Sequence, residues 1–414
     1  MKTMWSVLAV VAITILWWSQ CSARAISPTG RTATPSDLLV QRNTEFAFAL
    51  YTQIAREDGN IAVSPLSVSV ATAMLYAGAR GRTEKEIASV ARFELPKETL
   101  HREFAILLDE LNTRVAPWAK LSFANGVWID DLCRALPDYT ALLSDFYGAT
   151  LESVDFGESS RDACTRINGF ISERTQGKIQ SIVAPEMFTA LTTMVLVNTV
   201  YFLAAWDHKF LEADTNQEPF HLLDSSTVSV DMMHRTRTVP YYEDASVQVL
   251  EIPYQGSGLS MLLVLPAPHV GLVGLEAQIT PSLLSVWVKA LVPTDVQMAI
   301  PRFEVTRRID LIPPLMSMGM KDVFDERSAN LRGMCDIPRL YAQYAIHHVT
   351  LGISEKGTEA AAATVYVATQ GEEGEGFQKR IVTSFRADRP FIYIIRDMRC
   401  GTILFLGRVV DPET

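Results

Sequence analysis

The chain lacks the patterns that would assign it to several common classes of protein. It has 5 cysteines in 414 residues, far apart and without a Cys-x-x-Cys pair, which excludes a disulfide-dense scaffold and a cysteine-ligated metal site. The net charge is -10 and no run of Lys or Arg stands out, whereas nucleic acid requires a concentrated basic face. We therefore expect no nucleic-acid partner, no metal and no other cofactor.

Signatures of catalysis are also missing. The sequence contains no Gly-rich phosphate loop, no His-Glu-x-x-His and no Gly-x-Ser-x-Gly, so we expect a protein that is not an enzyme. No Asn-x-Ser/Thr sequon appears after the first residues, so N-glycosylation is not expected. Beyond the N-terminus, no apolar stretch reaches the roughly 18 residues of a membrane-spanning helix, which predicts no membrane partner.

The N-terminus has the pattern of a secretory signal. Lys2 supplies the positive start, Trp5 to Trp18 form a short apolar core, and Ala23-Arg24-Ala25 matches a small-x-small cleavage site. We predict a signal peptide over residues 1–25, which would carry away Cys21, and a flexible lead-in over 26–36. The alternative is a retained N-terminal membrane anchor.

The remainder of the chain has a globular composition, with 48% hydrophobic and 20% charged residues. Helical and strand patterns alternate with short connections, which favours one large α+β domain over several. We place this domain at residues 37–412. Of its four cysteines, the sequence leaves open which, if any, are paired: Cys133, Cys164, Cys335 and Cys400.

One stretch, residues 355–369, combines features of helix, strand and linker. Four consecutive alanines favour a helix, but Gly357 precedes them and Val365-Tyr366-Val367 follows. On a strand, alternate residues from Thr358 to Thr364 would form a face of small side chains only, with Glu359 on the other face. Such a strand could enter a crowded slot between other strands. The alternative is a frayed surface helix or a flexible linker.

Two motifs carry a family resemblance. Glu355-Lys-Gly-Thr-Glu-Ala-Ala-Ala-Ala-Thr364 resembles the reactive-loop hinge of inhibitory serpins, the suicide inhibitors of serine proteases, and residues 387–412 are similar to their C-terminal strand pair. The resemblance implies a single-domain serpin fold with three β-sheets, about nine helices and an exposed reactive-centre loop at about 355–384. The implied hinge residues are Glu355, Gly357, Thr358, Glu359, Ala360, Ala361, Ala362, Ala363 and Thr364.

The same resemblance assigns structural roles elsewhere. It implies that Ser64 and Ser67 lie under the centre of the main sheet with His347, and that Asn198 and Trp206 belong to the region where this sheet opens. Without it, these are an ordinary capped strand-helix junction, a satisfied core histidine and a core tryptophan. Some serpins bind heparin through clustered cations, but Arg102, Arg114 and Lys120 are scattered here, so we do not predict glycosaminoglycan binding.

The position of the cleaved bond depends on where counting begins. Counting forward from Glu355 by the usual family interval reaches Gly371-Glu372, whereas counting back from Pro390 reaches Lys379, Arg380 and Ile381. We favour Arg380-Ile381, which suits a trypsin-like protease with an acidic specificity pocket. The loop is longer than usual, so extra residues between the hinge and the cleaved bond would hold the protease less tightly. This predicts a slow inhibitor that is partly cleaved as a simple substrate.

The implied function is a secreted, extracellular and monomeric inhibitor of a serine protease. The loop would be cleaved, the protease held as an acyl-enzyme, and the loop inserted into the main sheet. The subgroup resembled is the plasminogen activator inhibitor and nexin group. The rival functions are a non-inhibitory serpin that binds or carries a ligand or is a protease substrate, and a binding protein that merely keeps the fold.

Overall fold

The structure, a computed structural model, describes residues 34–115, 119–335, 340–358 and 382–414. The residues from Pro35 onward form one compact unit. Nine α-helices occur in the described ranges: α1 Pro35–Ile54, α2 Pro65–Gly78, α3 Gly81–Ala91, α4 Lys97–Val115, α5 Pro137–Tyr147, α6 Ser160–Arg174, α7 Gly271–Gln278, α8 Pro281–Ala290 and α9 Ile312–Met318.

The strands, in chain order, are β1 Ile61–Val63, β2 Ala119–Asp130, β3 Thr150–Val154, β4 Met194–Ala205, β5 Thr215–His221, β6 Thr227–Glu243, β7 Val247–Pro253, β8 Leu259–Pro266, β9 Val292–Pro301, β10 Phe303–Asp310, β11 Tyr344–Ser354, β12 Gly357–Thr358, β13 Thr383–Arg386, β14 Phe391–Asp397 and β15 Ile403–Val409. Among the described residues no helix is long and apolar enough to span a membrane.

These strands form two hydrogen-bonded sheets. A six-stranded sheet has the order β10-β11-β12-β4-β2-β3, and a nine-stranded sheet the order β1-β15-β14-β8-β7-β6-β9-β13, with β5 beside β6. The predicted α+β class is confirmed. Three sheets were expected, and two are found because the 17-residue β6 runs without a break from its pairing with β5 and β9 to its pairing with β7.

Helix α2 explains how the two sheets are held together. Pro65 occupies its first turn, and the Ser64 hydroxyl accepts a hydrogen bond from the Ser67 N–H, so the sequence starts a helix here. The helix packs on β4 of one sheet and β15 of the other, and all of its residues are buried. It therefore forms the centre of the main hydrophobic core.

Strand β4 separates two cores. Leu196 and Phe202 face the main core, whereas Val195 and Val197 face a second core beneath α6. A strand with both faces covered reads as an uninterrupted apolar run, as this one does in the sequence.

The predicted lead-in is too long at its C-terminal end. Helix α1 begins at Pro35, so Pro35 and Ser36 are helical although they were expected in the flexible segment. Proline suits the first turn of a helix, and the Ser36 hydroxyl donates to the Glu103 carboxylate at 2.5 Å. The predicted signal peptide and residues 26–33 lie outside the described residues.

Candidate functional site

The hinge residues Gly357 and Thr358 already form a short strand within the six-stranded sheet. Strand β12 pairs antiparallel with β11 on one side, where Thr358 is opposite Ile353, and with β4 on the other, where Thr358 is opposite Ala204. Away from the hinge, β11 and β4 pair directly with each other, from Val349 opposite Val200 to Tyr344 opposite Val195. The sheet is thus open at one end, with the hinge between its strands.

Gly357 is required by this close approach. Its φ is +146°, and a Cβ atom added there would lie 2.0 Å from the Ala204 carbonyl oxygen. Any other residue would have to move the backbone of β4. The other predicted hinge residues, Glu359, Ala360 to Ala363 and Thr364, lie outside the described residues.

Thr358 is held by a buried aromatic pair. Its side chain is fully buried, and its hydroxyl shares a 2.5 Å hydrogen bond with the Tyr254 hydroxyl. Burial raises the pKa of Tyr254, which therefore keeps its proton. The Tyr254 ring stacks on Trp206 at 4.6 Å, and the Trp206 indole N–H donates to the Ser354 carbonyl at 2.8 Å. These contacts hold Ser354, the last residue of β11, and Thr358 of the hinge in place.

Glu355 anchors the turn between β11 and the hinge. Its carboxylate accepts hydrogen bonds from Arg302 at 2.5 Å and from the Thr215 hydroxyl at 2.7 Å, and only 4% of the residue is exposed. Burial alone would raise the pKa of Glu355, but the bonds from Arg302 and Thr215 outweigh it and the pKa is lowered. The backbone carbonyls of Glu355 and Lys356 accept from Phe210 N–H and Trp206 N–H.

A second polar group lies deeper in the sheet, where β4 and β11 still pair directly. His347 on β11 is opposite Asn198 on β4, and both are fully buried. The imidazole Nε2 accepts from Ser64 N–H at 3.0 Å, so Nδ1 carries the proton and donates to Asn198 Oδ1 at 2.6 Å. The Asn198 amide donates to Ser67 Oγ at 2.6 Å. The group thus joins both strands to the start of α2.

The five residues predicted for the opening region therefore occupy two places. Ser64, Ser67, Asn198 and His347 form one hydrogen-bonded group, which we call the polar cluster. Trp206 directly follows the last residue of β4, eight positions after Asn198, and lies beside the hinge. Any strand that separates β4 from β11 along their length must break the bond between His347 and Asn198.

Other contributors to the site were missed by the sequence analysis. Asn125 on β2 accepts a hydrogen bond from the Asn198 amide, and its place in an Asn-Gly-hydrophobic strand pattern was a usable signal. Tyr254, Arg302 and Thr215 reach the hinge from distant parts of the chain, and nothing local in the sequence marks them.

Two of the cysteines form a disulfide. Cys133 follows β2 and Cys335 precedes β11, and their Cα atoms are 6.3 Å apart. Cys164 is buried and Cys400 is exposed, and both are free thiols. In the part of the chain that the structure describes, no three His, Cys, Asp or Glu residues converge as metal ligands. The candidate cleavage residues Gly371, Glu372, Lys379, Arg380 and Ile381 lie outside the described residues.

Comparison with known proteins decides the family. The profile of the family described as "Serpin (serine protease inhibitor)" matches residues 41–412. This chain is a serpin. Horse leukocyte elastase inhibitor is 36% identical to it over 384 residues, covering 89% of this chain and 98% of that protein.

Solved structures place the serpin in the same fold. The crystal structure of a highly specific serpin of the insect Tenebrio molitor matches with a TM-score of 0.80 and 30% identity, over 90% of this chain and 98% of that one. Human thyroxine-binding globulin, solved in complex with thyroxine, matches with a TM-score of 0.81 and 29% identity, over 92% of this chain and all of that one.

These comparisons correct the expectation about catalysis, which was stated only as an absence. The missing motifs predicted that the chain is not an enzyme. The family description and the name of the horse relative replace that inference with a positive class, inhibitors of serine proteases, which act on an enzyme rather than catalyse. The finer assignment to the plasminogen activator inhibitor and nexin group is not supported by the horse relative, which is an elastase inhibitor.

Two buried histidines, His347 in the polar cluster and His101 outside it, are expected to make this serpin less stable in acid. Burial lowers the pKa of His347 to about 3, with a smaller contribution from His348, and burial lowers that of His101 to about 4. Below the ordinary value of about 6.5, the unfolded chain binds protons at these histidines and the folded one does not, so stability falls as the pH decreases. We expect a loss of about 1 kcal/mol per histidine per pH unit between pH 6.5 and 5.

Urea unfolding at a series of pH values measures this effect. A His347→Gln variant should be less stable at pH 7 but should lose less stability between pH 6.5 and 5 than the wild type. The control is His269→Gln, which changes an exposed histidine. Parallel pH profiles for wild type and the His347 variant would contradict the argument.

Proposed function

We propose that this serpin is a secreted, monomeric inhibitor of a trypsin-like serine protease that acts by inserting its cleaved loop between β11 and β4. The observation that carries the proposal is β12, whose two residues already pair with both strands. An attacking protease forms an acyl-enzyme with the loop. If insertion is faster than deacylation, the protease is carried along the sheet and trapped.

The register at the hinge sets how far insertion can run. If the pairing of Thr358 with Ile353 and Ala204 continues, Val367 falls opposite Tyr344 on β11 and Val195 on β4, the last directly paired positions. Residues 357–367 would therefore fill the gap. Residues beyond Val367 would form the tether to the protease.

Tether length distinguishes the two candidate cleavage sites. Between Val367 and Arg380 an extended chain reaches about 40 Å at about 3.3 Å per residue, whereas to Gly371 it reaches only about 13 Å. Cleavage at Arg380-Ile381 offers a basic residue to a trypsin-like enzyme but leaves the trapped protease loosely held. Cleavage at Gly371-Glu372 would hold the protease tightly, but this bond is a poor cleavage site for most proteases. We therefore propose Arg380-Ile381 as the reactive bond, with a large share of simple substrate turnover.

Secretion is supported by two features. The N-terminal residues have the pattern of a signal peptide, and the Cys133–Cys335 disulfide fits an oxidising compartment. The plasminogen activator inhibitor and nexin subgroup stays a prediction that rests on the segment from Ala387 to Phe391 and the basic residue Arg380 at the proposed cleavage site. Neither a glycosaminoglycan nor a membrane is part of the proposal.

The test is incubation of the mature protein with trypsin-like, chymotrypsin-like and elastase-like proteases, followed by SDS gels and mass mapping of the cleaved bond. We expect an SDS-stable complex with a trypsin-like enzyme, alongside free cleaved protein. Arg380→Ala should lower both products at least about 100-fold, because the specificity pocket loses its charged partner. Lys379→Ala is the matched control and should change them only slightly. Absence of a complex with every protease would refute inhibition.

The rival function is a carrier, suggested by the likeness to thyroxine-binding globulin, whose structure holds thyroxine. Cleavage followed by thermal unfolding separates the two functions. An inhibitor that inserts its loop gains a strand and should unfold at a much higher temperature after cleavage. A carrier without insertion should show the same midpoint before and after.

A further inference from the structure

The Cys133–Cys335 disulfide joins the two sides of the gap into which the hinge leads. Cys133 lies just beyond the end of β2, which pairs with β4 on one side of the gap. Cys335 precedes β11 in the chain, and β11 pairs with β10 on the other side. At this end Ile129 pairs with Met194. The covalent bond therefore crosses the sheet at the end opposite the hinge.

Weaker bonds cross at the same end. Leu136 N–H donates to the Met334 carbonyl at 2.7 Å, and the Thr193 hydroxyl donates to the Tyr341 carbonyl at 3.2 Å. Cys335 also forms a β-bridge with Ala135. Hydrogen bonds of this kind can break and re-form as strands separate. The disulfide cannot, and both of its cysteines are buried.

The geometry of the bond limits how the sheet can open. A new strand between β4 and β11 widens their separation from about 4.8 Å to about twice that distance. The Cα atoms of a disulfide stay within about 6.8 Å of each other, and these are already 6.3 Å apart. The sheet is already open at Thr358, where β12 lies between β4 and β11, whereas the disulfide limits their separation at the opposite end.

From this geometry we infer that the Cys133–Cys335 disulfide is a covalent pivot that slows the opening of the six-stranded sheet. The inference rests on the proposed function, since it concerns the rate of strand insertion. Opening must move β2 and β11 apart against a bond that holds Cys133 to Cys335, and this restraint is absent when the two thiols are separate. The oxidised protein therefore admits a new strand more slowly than the reduced protein.

Reduction would proceed by thiol–disulfide exchange with a dithiol. Two electrons and two protons pass to the protein, giving thiols at Cys133 and Cys335, and the dithiol becomes a cyclic disulfide. Because both cysteines are buried, exchange in the folded protein is slow. Whether the disulfide is present therefore depends on the redox conditions in which the chain folds.

The test uses a labelled peptide with the sequence of residues 358–370, added to the full mature protein well below its unfolding temperature. Incorporation of the peptide into the sheet is followed by native gel. We expect Cys133→Ser/Cys335→Ser to take up the peptide at least about tenfold faster than wild type. The control, Cys164→Ser/Cys400→Ser, removes the two free thiols and should match wild type.

The outcomes separate the pivot from a plain stabilising crosslink. A crosslink that acts only on the unfolded chain would lower the unfolding temperature when removed but leave uptake unchanged, which would overturn the inference. If neither wild type nor variant takes up peptide and no protease complex forms, the proposed function fails instead.

If the Cys133→Ser/Cys335→Ser variant does not fold, a second measurement on the wild type tests the same inference. Amide hydrogen exchange over Tyr344–Val349 is compared in oxidised wild type and in wild type reduced with dithiothreitol, with reduction verified by mass. We expect exchange to be about tenfold faster after reduction. Equal exchange in fully reduced protein would overturn the pivot.

Discussion

Replacing Thr358 with arginine is expected to convert this serpin from an inhibitor into a substrate. Thr358 is fully buried between β4 and β11, and its hydroxyl is bonded to Tyr254. An unpaired guanidinium in this position costs about 3–5 kcal/mol, so the hinge should leave the sheet. Complex formation should fall at least about 100-fold, since each 1.4 kcal/mol is a factor of ten. Cleavage of the exposed loop should continue at the wild-type rate.

Gel assays of complex and cleaved product, together with thermal unfolding of the cleaved protein, measure this result. Two controls bracket the variant. Thr358→Val keeps the shape and removes only the bond to Tyr254, and should lower complex formation by a few-fold. Lys356→Gln changes a neighbouring exposed side chain whose amine lies 3.5 Å from Glu212, and should have little effect. Wild-type amounts of complex from Thr358→Arg would show that the hinge does not enter the sheet.

The second large effect is expected from reversing the charge of Glu355. A lysine there would be buried against Arg302, and breaking a buried pair while leaving one charge uncompensated costs about 3–5 kcal/mol. Arg302 keeps its 2.8 Å contact with Asp231, which limits the loss on that side. We expect the thermal midpoint of the uncleaved protein to fall by at least roughly 5 °C.

Two variants make this test specific. Glu355→Gln can still accept hydrogen bonds from Arg302 and Thr215, so its midpoint should fall much less. The exchange Glu355→Lys/Arg302→Glu restores opposite charges and should recover part of the loss. A midpoint for Glu355→Lys equal to that of the wild type would mean that the anchor contributes nothing to the uncleaved state.

The contrast between these residues shows what the sequence could reveal. The roles of the hinge and the polar cluster were inferred from short motifs that resemble those of serpins: small residues after Gly357, and a Ser-Pro junction at Ser64. Their partners were not. Tyr254 and Thr358 are 104 positions apart, and the two bonded cysteines 202, so only the folded chain reveals which residues meet.

The sheet count differed from the expectation for a similar reason. Each stretch of β6 has a clear strand pattern, but whether a chain bends or continues between two pairings is decided by its neighbours. Here β9 pairs with β6 from Met232 to Tyr241, which reaches the part of β6 that pairs with β7. The continuous partner keeps β6 extended and joins two expected sheets into one.

The two-residue strand at the hinge has a kinetic consequence. Starting a new strand is normally its slow stage, because the first residues lose their freedom before they gain a full set of partners. In this protein that stage is complete before any protease arrives, since Gly357 and Thr358 have neighbours on both sides. The strand can then extend one residue at a time, and each added residue pairs with both β11 and β4. The limiting step is the parting of β4 from β11 ahead of the advancing end.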